Sequence, residues 1–131
     1  MAPTADTDDN KKINVHVIAS GHPTTSIQIH DDAEYGAYHR YSIGDSGGNQ
    51  TYINFQKGPI KEVGPNGIFI EDLMAIAIHR LECFQEGDFA CEENANALDH
   101  LRKSLQILND RTAARQARGV EGTYQKESLD N

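Results

Sequence analysis

Near residue 67, the spacing of apolar residues changes from every second position to every third or fourth position. Before this point, short alternating runs are separated by Gly, Pro, Asp and Ser, which is typical of half-buried β-strands. After it, the apolar residues follow the period of an α-helix. We therefore predict an α+β fold, in which a small N-terminal antiparallel sheet precedes a C-terminal two-helix hairpin. A chain of 131 residues buries only a modest core, which favours further burial by oligomerisation through the helices.

The predicted sheet region spans residues 12–66 and follows a polar tail, residues 1–11, that we expect to be disordered. The expected strands, in chain order, are residues 13–19, 26–30, 34–43, 50–57 and a short fifth strand at 60–63. Because strand side chains alternate between faces, Tyr52 should point away from Ile53.

The helical hairpin is predicted over residues 67–119, with a C-terminal tail at 120–131. The apolar stripe of its first helix comprises Ile70, Leu73, Met74, Ala77, Ile78 and Leu81, with Phe84 close to it. The second helix begins near Glu92, whose charge suits the positive end of the helix dipole. It should end at Gly119, a residue type that commonly terminates helices.

The apolar seam of the second helix continues into basic residues. Its members, spaced by three and four, are Asn94, Leu98, Leu101, Leu105, Leu108, Thr112 and Arg115. Arg111, Arg115 and Arg118 share one helix face, where like charges repel unless an anion lies between them. Guanidinium groups bind phosphate through paired hydrogen bonds. The alternative is a solvated face, since basic residues suit a helix C-terminus and Asp110 or Glu121 could pair with them.

Composition narrows the function classes. The net charge of −8 argues against binding to nucleic acid polymers or anionic membranes, although a few arginines can still create a local anion site. No run approaches about 20 apolar residues, and the start lacks the apolar stretch of a secretory signal. Two cysteines, Cys83 and Cys91, are too few for a disulfide scaffold. We expect a cytoplasmic protein with reduced thiols.

Several stretches resemble one known family. Residues 53–67 read INFQKGPIKEVGPNG. The helical half contains EDL at 71–73, FQ at 84–85, ACEEN at 90–94 and LDHLR at 98–102. Residues 111–123 read RTAARQARGVEGT. Together they resemble the first Thoeris anti-defence family of phage proteins. The resemblance covers residues 50–124, and residues 111–123 are its most specific part.

The resemblance implies a sponge for a nucleotide signal. Bacterial TIR proteins convert NAD into a cyclised ADP-ribose, and family members bind glycocyclic ADP-ribose (gcADPR) without cleaving it, so that the Thoeris effector stays inactive. They are dimers, or hexamers built as trimers of dimers, with each ligand between helices of two protomers. Some also hold cyclic di- or trinucleotides, the CBASS signals, at separate sites. No cofactor, metal or catalytic residue is implied, and the place of action is the cytoplasm of the infected bacterial host.

The resemblance also implies site residues. Arg111 and Arg115 match arginines that hold the diphosphate and riboses, Phe84 matches an aromatic that stacks on adenine, and Asn94 matches a polar group that hydrogen-bonds the ligand. We expect Thr112 and Arg118, beside the two arginines, to contribute as well. Asn94 and Arg115 lie about 31 Å apart along one helix, so they cannot contact the same ligand within one chain. An antiparallel partner helix brings them together.

Other motifs point to other functions. Residues 44–48 (GDSGG) copy the nucleophile motif of trypsin-like proteases, but a glycine-rich hairpin turn explains them better, because a protease also needs two barrels and a histidine motif. The tyrosines at 35, 38 and 41 are expected on the sheet surface and at interfaces, with a second nucleotide site as the alternative.

Histidine and cysteine residues leave further alternatives open. His79, Cys83, Cys91 and His100 could bind zinc, but they lack the usual spacing, and Cys83 is expected to be a small apolar filler. An enzyme that degrades the same nucleotide through His79 or His100 remains an alternative to the sponge. A structural phage protein that assembles through the helical seam is another.

Overall fold

The computed structural model describes residues 17–119, and its strands form one antiparallel sheet. The strands are β1 (Val17–Ile18), β2 (Thr25–Ile29), β3 (Arg40–Asp45) and β4 (Gln50–Asn54), and they are hydrogen-bonded in the order of the chain. Such a meander needs only short connections between neighbouring strands. The predicted tails at 1–11 and 120–131, and the first part of the predicted strand 13–19, lie outside the described residues.

One face of the sheet is apolar. Ile29, Tyr41 and Ile53 lie opposite one another across three strands, and Ile29 is buried. The Tyr41 ring also packs edge-on against Phe55, with 5.6 Å between centroids. Tyr52, on the other face, is 68% exposed, so the predicted alternation in the fourth strand is confirmed.

The predicted strand 34–43 is wrong over its first half. Glu34 and Ala37 exchange two backbone hydrogen bonds of 2.9 and 3.1 Å around a tight turn. Tyr35 and Gly36, at the centre of this turn, have positive φ angles of 53° and 87°. The tyrosines are spaced by three residues, so a strand would place them on alternate faces. The strand begins only at Arg40, and it continues to Asp45.

The predicted fifth strand is also wrong. Residues Ile60–Val63 form a helical turn, α1, although Ile and Val favour strands. Pro59 precedes it with φ fixed near −68°, and its carbonyl accepts the N–H of Val63 at 2.9 Å. Gly64 ends the turn with a φ of 81°. The fourth strand likewise ends at Asn54 and not at residue 57, because the chain turns to form a single bridge between Phe55 and Ile68.

The second half forms the predicted helices, α2 (Ile70–Gln85) and α3 (Glu92–Ala117). Asp72 accepts the N–H of Phe69 at 2.9 Å, which gives the start of α2 a hydrogen-bond acceptor. Beyond α3, Gly119 has a φ of 76°, as expected for a helix-terminating glycine. The α+β fold class is therefore confirmed.

The apolar stripe of α2 is confirmed except at its first member. Leu73, Met74, Ala77, Ile78, Leu81 and Phe84 are buried or half-buried. Ile70 is 56% exposed, because it begins the helix before the packed part of the stripe. Helices α2 and α3 pack against each other, and Glu82 pairs with Arg102 at 2.7 Å.

The chain divides into two units. Of the described residues, a sheet unit comprises 17–58 together with Pro65–Ile68, and a helical unit comprises Pro59–Gly64 and residues 69–119. Among the residues that the structure describes, no helix combines the length and hydropathy that a membrane crossing requires.

Candidate functional site

The seam of α3 lies where the sequence spacing predicts it. The helix residues that are not exposed are Asn94, Leu98, Leu101, Leu105, Leu108, Thr112 and Arg115, and every other residue of the helix is exposed. Leu98 is the most deeply buried, at 5% exposure. The seam is covered within the same chain by α2. At its C-terminal end the seam passes from leucine to the half-buried Thr112 and Arg115.

The C-terminal end of α3 carries a cluster that we call the basic end. It comprises Arg111, Thr112, Arg115 and Arg118, all within the last two turns of α3 and its C-cap. The Arg111 guanidinium lies 3.9 Å from the Glu71 carboxylate of α2, and the Arg111 side chain is 52% exposed. The pairing predicted as an alternative is not found for Asp110, which instead accepts a hydrogen bond from Gln106 at 2.8 Å. Glu121 lies outside the described residues.

Phe84 and Asn94, at the other end of the hairpin, form what we call the aromatic end. The half-buried Phe84 ring has the Arg80 guanidinium over it, 5.1 Å from the centroid. It also contacts the Phe89 ring nearly at right angles, with 6.3 Å between centroids. Arg80 and Phe89 were not predicted from sequence, because nothing in the local pattern shows which rings and cations meet.

Asn94 is engaged by the loop that joins the two helices. Its Nδ2 donates to the Phe89 carbonyl at 3.3 Å, and its backbone N–H points to Cys91 Sγ at 3.4 Å. Gln85 holds the same loop from the other helix, since its amide donates to the Cys91 carbonyl at 3.1 Å and accepts the Cys91 N–H at 3.0 Å. The aromatic end is therefore preorganised by two side-chain amides.

The two ends do not meet within one chain. The structure brings Phe84 and Asn94 together around one loop, and it groups the three arginines at the far end of α3. The span between Asn94 and Arg115 is about 31 Å of continuous helix. The arrangement offers ring stacking and an amide at one end, and cationic hydrogen-bond donors at the other.

The sheet unit accounts for the protease-like motif. The Asp45 carboxylate accepts the N–H groups of Gly47 and Asn49, both at 2.9 Å, and the Asn49 side chain at 3.0 Å. Hydrogen bonds from Asn49 are the main cause that lowers the pKa of Asp45. Ser46 thus lies in the predicted hairpin turn, whereas His30 lies level with the start of β3 and bonds to Ser42 at 2.6 Å.

The cysteines differ from expectation in one respect. Cys83 is exposed, so its assignment as an apolar filler is wrong, and its Sγ lies 3.8 Å from His79 Nε2. Within residues 17–119, no group of three or more His, Cys, Asp or Glu side chains is arranged to hold a metal ion.

The tyrosines lie in different surroundings. Tyr35 is 53% exposed in the turn, whereas Tyr38 and Tyr41 are half-buried. Burial is the main cause that raises the pKa of Tyr41, with contributions from the nearby Asp31 and Tyr38. The three rings therefore differ in their exposure to solvent.

Comparisons with known proteins give matches over half of the chain or more. Residues 48–113 match the family model described as the Acb2/Tad1 hairpin domain. The chain is also 44% identical over 110 residues to the protein named Thoeris anti-defense 1 of Bacillus phage SBSphiJ7. That match covers 84% of this chain and 77% of the relative.

Proposed function

The chain belongs to the Thoeris anti-defence 1 family, and from this membership we propose that it is a sponge for gcADPR. It is a phage anti-defence protein. Under the proposal, it acts in the cytoplasm of the infected bacterium, binds the signal tightly and does not cleave it. The Thoeris effector then has too little free signal to become active.

The observation that carries the proposal is the composition of the α3 seam. One stripe presents a half-buried asparagine, Asn94, at its first turn and a half-buried arginine, Arg115, near its last. A diphosphate suits the basic end, because arginine forks donate paired hydrogen bonds to phosphate oxygens. Partial burial strengthens such bonds, since the local dielectric constant is lower than that of water. Three arginines within eight residues also provide positive charge in a chain of net charge −8.

An adenine suits the aromatic end, where Phe84 offers a ring and Asn94 an amide. Base–aromatic stacking contributes about 1–3 kcal/mol per base. The Asn94 Nδ2 already holds the Phe89 carbonyl, so we assign its Oδ1 oxygen to the ligand as a hydrogen-bond acceptor. The amino group of adenine is a donor of the required kind.

The separation of the two ends requires a second copy of the chain. When two hairpins lie antiparallel, the basic end of one faces the aromatic end of the other. Two-fold symmetry then creates two equal sites in each dimer. A hexamer built as a trimer of such dimers keeps every site unchanged.

We assign no turnover to the site. Hydrolysis requires a general base, or an equivalent group, within hydrogen-bond reach of the reacting atom. The proposed site residues supply cations, an amide, a hydroxyl and a ring. His79 and His100, the histidines of the enzymatic alternative, are exposed and lie off the stripe that carries Asn94 and Arg115.

The test is recovery of the ligand. Purified gcADPR is mixed with the protein, unbound nucleotide is removed by gel filtration, and the complex is heated to release what it holds. We expect intact gcADPR in an amount close to one molecule per chain. Linear ADP-ribose in the released fraction would instead identify a hydrolase.

Arg115→Ala provides the matched control. This variant should form the same oligomer as the unmodified protein when both are measured by light scattering, but it should retain no gcADPR. The unmodified protein should gain about 2.7 kcal/mol of unfolding free energy at a gcADPR concentration 100-fold above the Kd, and the variant should gain none. Undiminished binding by the variant would contradict the assignment of the basic end.

A further inference from the structure

The loop between the two helices presents a phenyl ring to solvent. Phe89 is 75% exposed, although a ring of this size is stabilised by burial against other apolar groups. Flanking residues Gly87, Asp88 and Ala90 are exposed as well. The exposed ring lies directly beside two proposed ligand residues, since Phe89 contacts the Phe84 ring and its carbonyl accepts from Asn94 at 3.3 Å.

The position of Phe89 is fixed from both sides. Asn94 holds its carbonyl, and the Gln85 amide brackets Cys91, two residues further on, through hydrogen bonds of 3.0 and 3.1 Å. The loop also closes on itself through the Ala90 N–H and the Gly87 carbonyl at 3.3 Å. A ring held in this way loses little conformational freedom when a ligand covers it, which favours binding.

One face of the Phe84 ring is covered by another side chain, so less of the ring can stack on a base than the sequence pattern implies. The Arg80 guanidinium lies over the ring, and a cation in this position is attracted to the ring face. Phe84 therefore has at most one open face for a base. Phe89 stands at 77° to it, so the two rings form a corner. A flat base that stacks on one ring meets the edge of the other, which is a favoured aromatic geometry.

We propose that Phe89 is the second aromatic residue of the base site, so that the adenine of the cyclic nucleotide contacts both Phe84 and Phe89. The proposal rests on the proposed function and names a ligand-binding residue beyond those implied by the family resemblance. In the complex, the adenine covers the Phe89 ring that is exposed in the free chain.

The experiment uses a tryptophan reporter. The chain contains no Trp, so Phe89→Trp introduces a single tryptophan per subunit, which can be excited selectively over the tyrosines. Tyr52→Trp is the matched control, because Tyr52 is also exposed but lies in the sheet unit. Titration of the full-length Phe89→Trp protein with gcADPR should quench its emission in proportion to occupancy. The Tyr52→Trp protein should bind gcADPR without a change in emission.

A second variant measures the contribution of the ring to affinity. Phe89→Ala should weaken gcADPR binding by about 5- to 150-fold in calorimetry, the range expected for one base–aromatic contact. Wild-type affinity in Phe89→Ala together with unquenched emission in Phe89→Trp overturns the Phe89 assignment while leaving the sponge intact. A wild-type protein that does not bind gcADPR overturns the proposed function itself.

Discussion

In the sheet unit, polar side chains bond to neighbouring groups of the chain, whereas the helical unit also exposes a cation and a ring at the ends of its hairpin. In the sheet unit, Ser42 is 1% exposed and bonds to His30 at 2.6 Å. Asn66 bonds to both the N–H and the carbonyl of Lys57, each at 2.8 Å. In the helical unit, Arg111 and Phe89 are largely exposed at the ends of the hairpin.

Under the proposed function, recognition belongs to the helical unit. Polar groups that satisfy one another within a sheet stabilise the fold but offer little to a ligand. Arg111 on α3 and Phe89 in the loop between the helices are exposed, so a ligand can reach them. Mutations in the sheet unit should therefore change stability alone, whereas mutations at the ends of the hairpin should change affinity.

The largest expected effect comes from the core of the hairpin. Leu98→Ala should lower the free energy of unfolding by about 2–5 kcal/mol, because it removes a buried side chain and leaves a cavity. Ile107→Ala on the same helix is the control, since Ile107 is 66% exposed and its loss should cost less than about 0.5 kcal/mol. Urea unfolding followed by circular dichroism measures both. Equal losses would contradict the assignment of the seam.

A smaller effect is expected in the sheet. Ser42→Ala should reduce stability by about 1 kcal/mol, because the ring nitrogen of His30 loses its hydrogen-bond partner. The exposed Ser26 of β2 is the control, and Ser26→Ala should change little. Both variants should bind gcADPR with wild-type affinity at temperatures where they are folded. A large loss of affinity in Ser42→Ala would break the separation of roles between the units.

Charge at the basic end should have a modest effect on affinity. Glu71→Gln removes a carboxylate 3.9 Å from Arg111, so an anionic ligand should bind up to about 5-fold more tightly. Glu82→Gln is the matched control, because Glu82 pairs with Arg102 and not with the basic end. Isothermal titration at low salt compares the variants. Tighter binding in both would indicate a general charge effect and not a local one.

The smallest expected effect is a salt-dependent change in the pKa of one carboxyl group in the helical unit but not of one in the sheet unit. The pKa of Asp45 in the sheet unit is lowered mainly by hydrogen bonds from Asn49, and that of Asp99 in α3 is lowered by a hydrogen bond from Lys103 and by its charge. In each case, the ionised carboxylate stabilises the fold at pH values above 3.8, the ordinary pKa of aspartate. This stabilisation is lost as the pH falls through the lower pKa that the carboxyl group has in the folded protein.

Carboxylate titrations by NMR in low and high salt measure this difference. The pKa of Asp99 should move toward its ordinary value at high salt, because its 3.0 Å ion pair with Lys103 is exposed and screened. The pKa of Asp45 should stay low, because its partners are uncharged. Equal shifts for the two groups would contradict their assigned causes.

The features predicted correctly from sequence are local and periodic. The seam from Asn94 to Arg115 repeats every three or four residues, and the end of α3 at Gly119 depends on one glycine. The features missed depend on contacts between distant residues or on unusual backbone angles. Glu71 meets Arg111 across the hairpin, which spacing along one helix cannot show, and Tyr35 adopts a positive φ that its residue type disfavours.

Each proposed site combines the basic end of one subunit with the aromatic end of another, and the proposed sponge function depends on this combination. We predict that the variants Arg115→Ala and Asn94→Ala each lose gcADPR binding. The two variant chains are co-expressed with different affinity tags, and mixed dimers are isolated through both tags. Such a dimer has one site with both residues intact and one site that lacks both, so it should bind about half the wild-type amount of gcADPR. Mixed dimers that bind no more than either parent would contradict a site shared between subunits.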